Sequence, residues 1–140
     1  MNEEELGELT KHAIEVIKIA GEFITNEAKS FRQSAVEYKG SNDLVSYVDK
    51  TAEEILVKGL QKILPESSFI TEENTIKETD AQFKWIIDPL DGTTNFVHGI
   101  PCYCVSVALM DDKKLVAGII HELNLNECFY AWHGGGAWLN

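Results

Sequence analysis

Residues 85–96 read Trp85-Ile86-Ile87-Asp88-Pro89-Leu90-Asp91-Gly92-Thr93-Thr94-Asn95-Phe96, an apolar run that ends in two carboxylates and continues into a glycine and two threonines. The run FKWIID (83–88) has the β-branched and aromatic content of a strand. Pro89 fixes φ at about −65°, which suits the second position of a turn, and Gly92 can take whatever angle follows. Asp88 and Asp91 are therefore expected together at the tip of this strand. Two carboxylates that close repel each other, and a bound cation is the usual remedy. Donors that are all oxygen select a hard ion such as Mg²⁺. A calcium loop of the EF-hand type is excluded, because the third, fifth and twelfth positions from Asp88 are Leu90, Gly92 and Gly99. Taken alone, Asp-x-x-Asp is most often a solvated acidic turn. The sequel raises it above that: Gly92, Thr93 and Thr94 add amides and hydroxyls that can cradle an anion beside the cation, which is what a phosphate group needs.

Upstream, Leu9, Ala13, Val16, Ile17, Ala20, Ile24 and Phe31 recur at three- and four-residue spacing and predict one long amphipathic helix ending near residue 30. Residues 39–42 break the pattern and read as a loop. A second helix is predicted from about residue 49 to residue 64, with Asp49 at its N-cap, Thr51 and Glu54 at capping-box spacing, and Pro65 as the stop. Beyond Pro65 the period changes to two. SFIT (68–71), FKWIID, YCVSVALMD (103–111), KLVAGIIHE (114–122) and ECFYAWH (127–133) read as strands, with residues 111–113 and 124–126 as tight antiparallel connections. Two helices followed by a run of strands give an α+β class, the helices packed on a mainly antiparallel sheet. With no repeat and no linker, residues 1–140 read as one domain.

The chain has 140 residues, 44% of them hydrophobic, and a formal net charge of −11. That charge argues against nucleic acid, whose phosphates need clustered Lys and Arg. It also means that an anionic substrate needs a local positive charge, which a bound cation can be. The acidic start MNEEELGEL lacks the basic flank and apolar core of a signal peptide, and no run approaches the roughly 20 apolar residues of a membrane helix. Cys102, Cys104 and Cys128 form no CxxC pair and read as core residues of a reduced, cytoplasmic protein. His98 and His121 have no ligand partner at i, i+4; His98 reads as a loop residue at the rim of the site.

WIIDPLDGTTNFVHGIP (85–101) resembles the signature of the inositol monophosphatase family, Asp-Pro-hydrophobic-Asp-Gly-Thr-x-Asn. DLVSYVD (43–49), FITEEN (69–74) and GGGAWLN (134–140) resemble its supporting segments, in order and at suitable spacing. The resemblance implies the N-terminal half of a layered αβαβα sugar-phosphatase fold and a Mg²⁺-dependent phosphatase. Glu72, Asp88 and the Leu90 carbonyl would hold the first ion, and Asp88 with Asp91 would contribute to the second. Thr93 would position the attacking water, with Asp49 accepting a hydrogen bond from its hydroxyl. The Gly92 and Thr93 amides would hold the phosphate, and Lys39 matches a family lysine near the site. The family chain is nearly twice as long, and its second half supplies a further metal-binding aspartate and the residues that select the alcohol. Thr71 stands where the family commonly has glycine. The implied substrate is a small phosphate monoester, first among them inositol monophosphate. Fructose 1,6-bisphosphate, 3′-phosphonucleotides and a truncated, non-catalytic metal-binding chain are the alternatives, and a homodimer is a candidate assembly.

Overall fold

The computed structural model describes residues 1–34 and 41–140. Helix α1 spans Glu3–Ser34, α2 Ser41–Ile63 and the short α3 Thr93–Val97. The strands are β1 (Ser68–Thr71), β2 (Phe83–Asp91), β3 (Cys104–Asp111), β4 (Lys114–Glu122), β5 (Glu127–Trp132) and β6 (Gly136–Leu139).

Helix α1 begins with a reciprocal cap. Asn2 N–H donates to Glu5 Oε2 at 2.8 Å, and Glu5 N–H donates to Asn2 Oδ1 at 2.9 Å. Three glutamates in the first turn complement the helix dipole. One stripe of α1 is buried, from Leu6 and Leu9 through Ala13, Ile17, Ala20 and Ile24 to Phe31, as the periodicity predicts. The helix runs four residues past its expected end near Ser30.

Helix α2 departs from expectation at its start. It begins at Ser41, so Ser41 and Asn42 belong to the helix rather than to a loop. Asp49 is therefore an interior residue and not an N-cap, and Thr51 and Glu54 sit mid-helix rather than in a capping box. The buried stripe of α2 already begins at Val45 and Val48, so the apolar pattern precedes the expected start, and the N-cap reading of Asp49 is what places it late. Of the loop expected at residues 39–42, positions 39 and 40 lie outside the described residues.

The six strands form one sheet in chain order, β1-β2-β3-β4-β5-β6. β1 and β2 are parallel and all other neighbours antiparallel. The tight turns carry Asp112 (φ 52°) and Asn126 (φ 52°) in the left-handed region that Asp and Asn tolerate. β6, which the strand periodicity does not pick out, begins at Gly136 (φ 78°), two residues after Gly134 (φ 88°). Both long helices cover one face of the sheet, burying Trp85, Ile87, Val105, Val107, Leu109, Ile119 and His121. On the opposite face Ile120, Phe129 and Leu139 are 47, 44 and 53% exposed. Among the described residues no helix is long and apolar enough to cross a membrane.

The two helices meet at a glycine. A Cβ added to Gly59 would stand 2.4 Å from Val16 Cγ1. Replacing a mid-helix glycine by alanine gains about 1 kcal/mol in propensity, whereas overpacking costs about 1–3 kcal/mol. G59A is expected to lower the thermal midpoint by several degrees despite its better helix former. Thermal melts of G59A and V16A/G59A check this, the double variant melting above the single one.

Candidate active site

The parallel pairing of β1 and β2 assembles the site. Thr71 lies opposite Ile87, so the next residues along the two strands, Glu72 and Asp88, emerge side by side at one end of the sheet. The Asp88 and Glu72 carboxyls are close enough to hydrogen-bond through a shared proton.

Asp91 joins them by a bulge. Asp88 pairs with Ser106 and Asp91 with Cys104, so Pro89 and Leu90 of β2 together oppose Val105 of β3. The extra residue brings both aspartates onto the face that Cys104 and Ser106 share. The expected convergence holds, but its cause is not a turn at Pro89: the strand continues through Pro89 and Leu90 to Asp91. A bulge is one of the few places a strand accepts proline. Leu90 is 2% exposed and anchors the bulge in the core; its N–H donates to Asp88 Oδ1 at 3.2 Å. Asp91 is exposed and accepts a weak hydrogen bond from Cys104 Sγ at 3.9 Å.

Gly92 turns the chain out of β2 with φ 100°, and a Cβ there would stand 3.0 Å from the Cys102 carbonyl. Only glycine satisfies both demands. Helix α3 follows with no side-chain cap. It is fixed by Phe96, which packs on Phe31 and Tyr103, and by Asn95 Nδ2, which donates to the Cys102 carbonyl at 2.8 Å. Thr93 Oγ1 donates to the Leu90 carbonyl at 3.1 Å. That replaces the expected Thr93–Asp49 hydrogen bond, and Asp49 Oδ1 is instead buried with no partner among the described residues.

Asp49 reaches the site from the interior of α2. It is 8% exposed, and its carboxyl is pushed up to about 7, chiefly by burial and then by repulsion from Glu73, Glu72, Asp88 and Glu53. Asp88 is also pushed up to about 7. Burial is again the main cause, followed by the hydrogen bond to Glu72 and repulsion from Glu72 and Asp91, with the Leu90 N–H opposing. Burial first, then Glu53 and Glu72, raises Glu73 too. Thr71 carries a buried hydroxyl with no partner among the described residues.

Lys39 lies outside the described residues. His98 ends α3 and is exposed, while His121 is buried between β4 and α1. One residue escaped the sequence reading: Glu53, 0% exposed, one turn beyond Asp49 on the buried stripe of α2. A charged residue among Val48, Ala52 and Leu56 was the available signal.

The donor set fits a hard cation. Glu72 and Asp88 adjoin, Asp91 shares their face, and the Leu90 carbonyl lies between them in sequence. Among the described residues no three acids, histidines or cysteines stand as a ready cage. Mg²⁺ tolerates that, because it keeps several waters and takes one or two carboxylates.

Asp49 is strained by this company. A carboxyl that titrates at about 7 in the fold, against an ordinary 3.8, destabilises the metal-free chain fully above pH 7. The penalty fades as pH falls toward 4. D49N is therefore expected to raise the thermal midpoint of the metal-free protein at pH 8 and to lose most of that gain near pH 4, as melts across this range would show.

Comparison with known proteins supplies the lineage. The profile described as the inositol monophosphatase family matches residues 5–140. Inositol monophosphatase of Dictyostelium discoideum is 41% identical over 138 residues, covering 96% of this chain and 50% of that protein. Inositol monophosphatase from Anabaena (Nostoc) sp. PCC 7120 superposes with a TM-score of 0.80 at 28% identity, over 96% of this chain and 48% of that one. The extragenic suppressor protein suhB of Bartonella henselae gives 0.78 at 34% identity, over 93% and 50%. The chain thus spans about half the length of the relatives it matches. With the signature segment and its fold both in register, this chain belongs to the inositol monophosphatase family.

Proposed function

We propose that this chain is the metal- and phosphate-binding half of a Mg²⁺-dependent phosphate monoester hydrolase whose substrate is inositol monophosphate. The convergence of Glu72, Asp88 and Asp91 at the end of two strands, with Asp49 buried beside them, carries the reading. Glu72, Asp88 and the Leu90 carbonyl would hold one Mg²⁺, and Asp88 with Asp91 would contribute to a second. Bound there, the ions supply Lewis acidity and the positive charge that an anionic substrate needs in a chain of net charge −11.

The protein groups do the positioning. The Gly92 and Thr93 amides, on a turn without a side-chain cap, would hold the phosphate oxygens. The Thr93 hydroxyl would turn its proton from the Leu90 carbonyl to Asp49 Oδ1, which has no partner among the described residues, and would accept a hydrogen bond from the attacking water. Glu72 would orient the same water. The open sheet face with Ile120, Phe129 and Leu139 is where we propose that the second half of a relative-length protein packs. That half would bring the additional acid and the contacts that select the alcohol. The cytoplasm is the proposed location, and a homodimer the proposed assembly.

Phosphate release from inositol 1-phosphate with Mg²⁺ tests this. The chain supplemented with the second half of a relative is expected to turn over much faster than the chain alone, and silence of the pair would refute the proposal. In the active pair, T93A should lower kcat about 100-fold with KM nearly unchanged, since positioning a nucleophile acts on the transition state. An unchanged kcat removes Thr93 from the reaction.

A further inference from the structure

Glu53 is a carboxylate in the core, 0% exposed, and among the described residues no cation pairs with it. Its oxygens are instead filled by the loop that leaves β1. Oε2 accepts the Glu73 N–H at 2.8 Å, and Oε1 accepts both the Thr75 N–H at 3.0 Å and the Thr75 hydroxyl at 2.8 Å. Three charge-assisted hydrogen bonds offset the desolvation that a buried acid otherwise suffers.

The loop held this way begins at Glu72 and carries Glu73, and both acids repel Asp49. Glu72 also repels Asp88. Repulsion among these acids opposes holding the loop at the site, while the hydrogen bond between Glu72 and Asp88 draws it in. Residues 72–82 form no helix, so the connection between the two parallel strands has no ladder of its own to resist that push. Farther along, Ser68 Oγ accepts the Thr79 N–H at 2.9 Å and Lys84 pairs with Glu78 at 2.9 Å, but at Glu73 and Thr75, next to the site, the grip comes from α2.

We propose that Glu53 is a positioning residue: it pins the backbone at Glu73 and Thr75 and so keeps the Glu72 carboxylate beside Asp88 for the cation. The inference rests on the reading that Glu72 and Asp88 hold Mg²⁺. Helix α2 then serves the site twice from one face, through Asp49 directly and through Glu53 one turn later. The demand on residue type is strict. Glutamine has the same shape, but its amide nitrogen would confront an N–H or hydroxyl donor. Aspartate is a methylene shorter, and an apolar side chain accepts nothing.

The test pairs two readouts on the folded 140-residue chain: Mg²⁺ affinity by calorimetry and amide hydrogen exchange. E53Q is expected to bind Mg²⁺ about 10- to 100-fold more weakly, the range seen for groups that orient metal ligands, and to lose protection at the Glu73 and Thr75 amides. T75V removes only the hydroxyl bond and should weaken Mg²⁺ binding by a smaller factor with its melting point retained; it carries the test if E53Q does not fold. Folded E53Q with unaltered Mg²⁺ affinity overturns the proposal. If the unsubstituted chain itself binds no Mg²⁺, the metal reading fails separately, and unchanged amide protection in E53Q would then refute the clamp on its own.

Discussion

Repulsion among carboxylates at the ends of β1 and β2 is the constraint around which this structure is arranged. Glu72, Asp88 and Asp91 arrive there by strand pairing and a bulge, and Asp49 arrives from a helix interior. No one of these positions favours folding. Asp49 is buried and Asp88 half-buried, and the ionisation of each is disfavoured by burial and by neighbouring carboxylates. Such an arrangement persists only where the remaining fold over-determines it, and it is this cost that supports the proposed binding site.

The rest of the fold supplies that determination. Trp85 and Ile87 bury one side of β2 under the helices, and Leu90 locks the bulge. Gly92 allows the chain to turn against the Cys102 carbonyl, and Phe96 seats α3 on Phe31 and Tyr103. Glu53 answers the outward push on the loop after β1. Each element spends packing or hydrogen bonds to keep negative charge where a cation can use it.

What could be read from the sequence was what is local. Period-two alternation gave β3, β4 and β5 nearly to the residue, because each buries one face under the helices and alternates in consequence. Asp88 and Asp91 were legible as a convergent pair, although the bulge that joins them was not: Pro89 signals a turn and a bulge equally well. The polar first turn of α2 hid its start at Ser41, but the mid-helix place of Asp49 was signalled by Val45 and Val48 and masked by the aptness of Asp as an N-cap. The adjacency of Glu72 and Asp88 depends on a parallel pairing across residues 72–82, and such crossovers are normally announced by a helix that is missing here. Glu53 was passed over for the opposite reason, although its place on the apolar stripe was a signal. A charged residue on a helix reads as surface until its partners, 20 and 22 positions away, are known.

The direct test of the account is the titration of the Asp49 and Asp88 side-chain carboxyls, followed by carbon NMR in the labelled chain with and without Mg²⁺. Without the ion both should titrate near 7, far above the ordinary 3.8. Saturating Mg²⁺ should pull Asp88 down toward the ordinary aspartate range, because a cation relieves the repulsion that raised it. Titration of both carboxyls near 4 in the metal-free chain, or no response of Asp88 to Mg²⁺, would contradict the claim that these strands are built to concentrate charge for a cation.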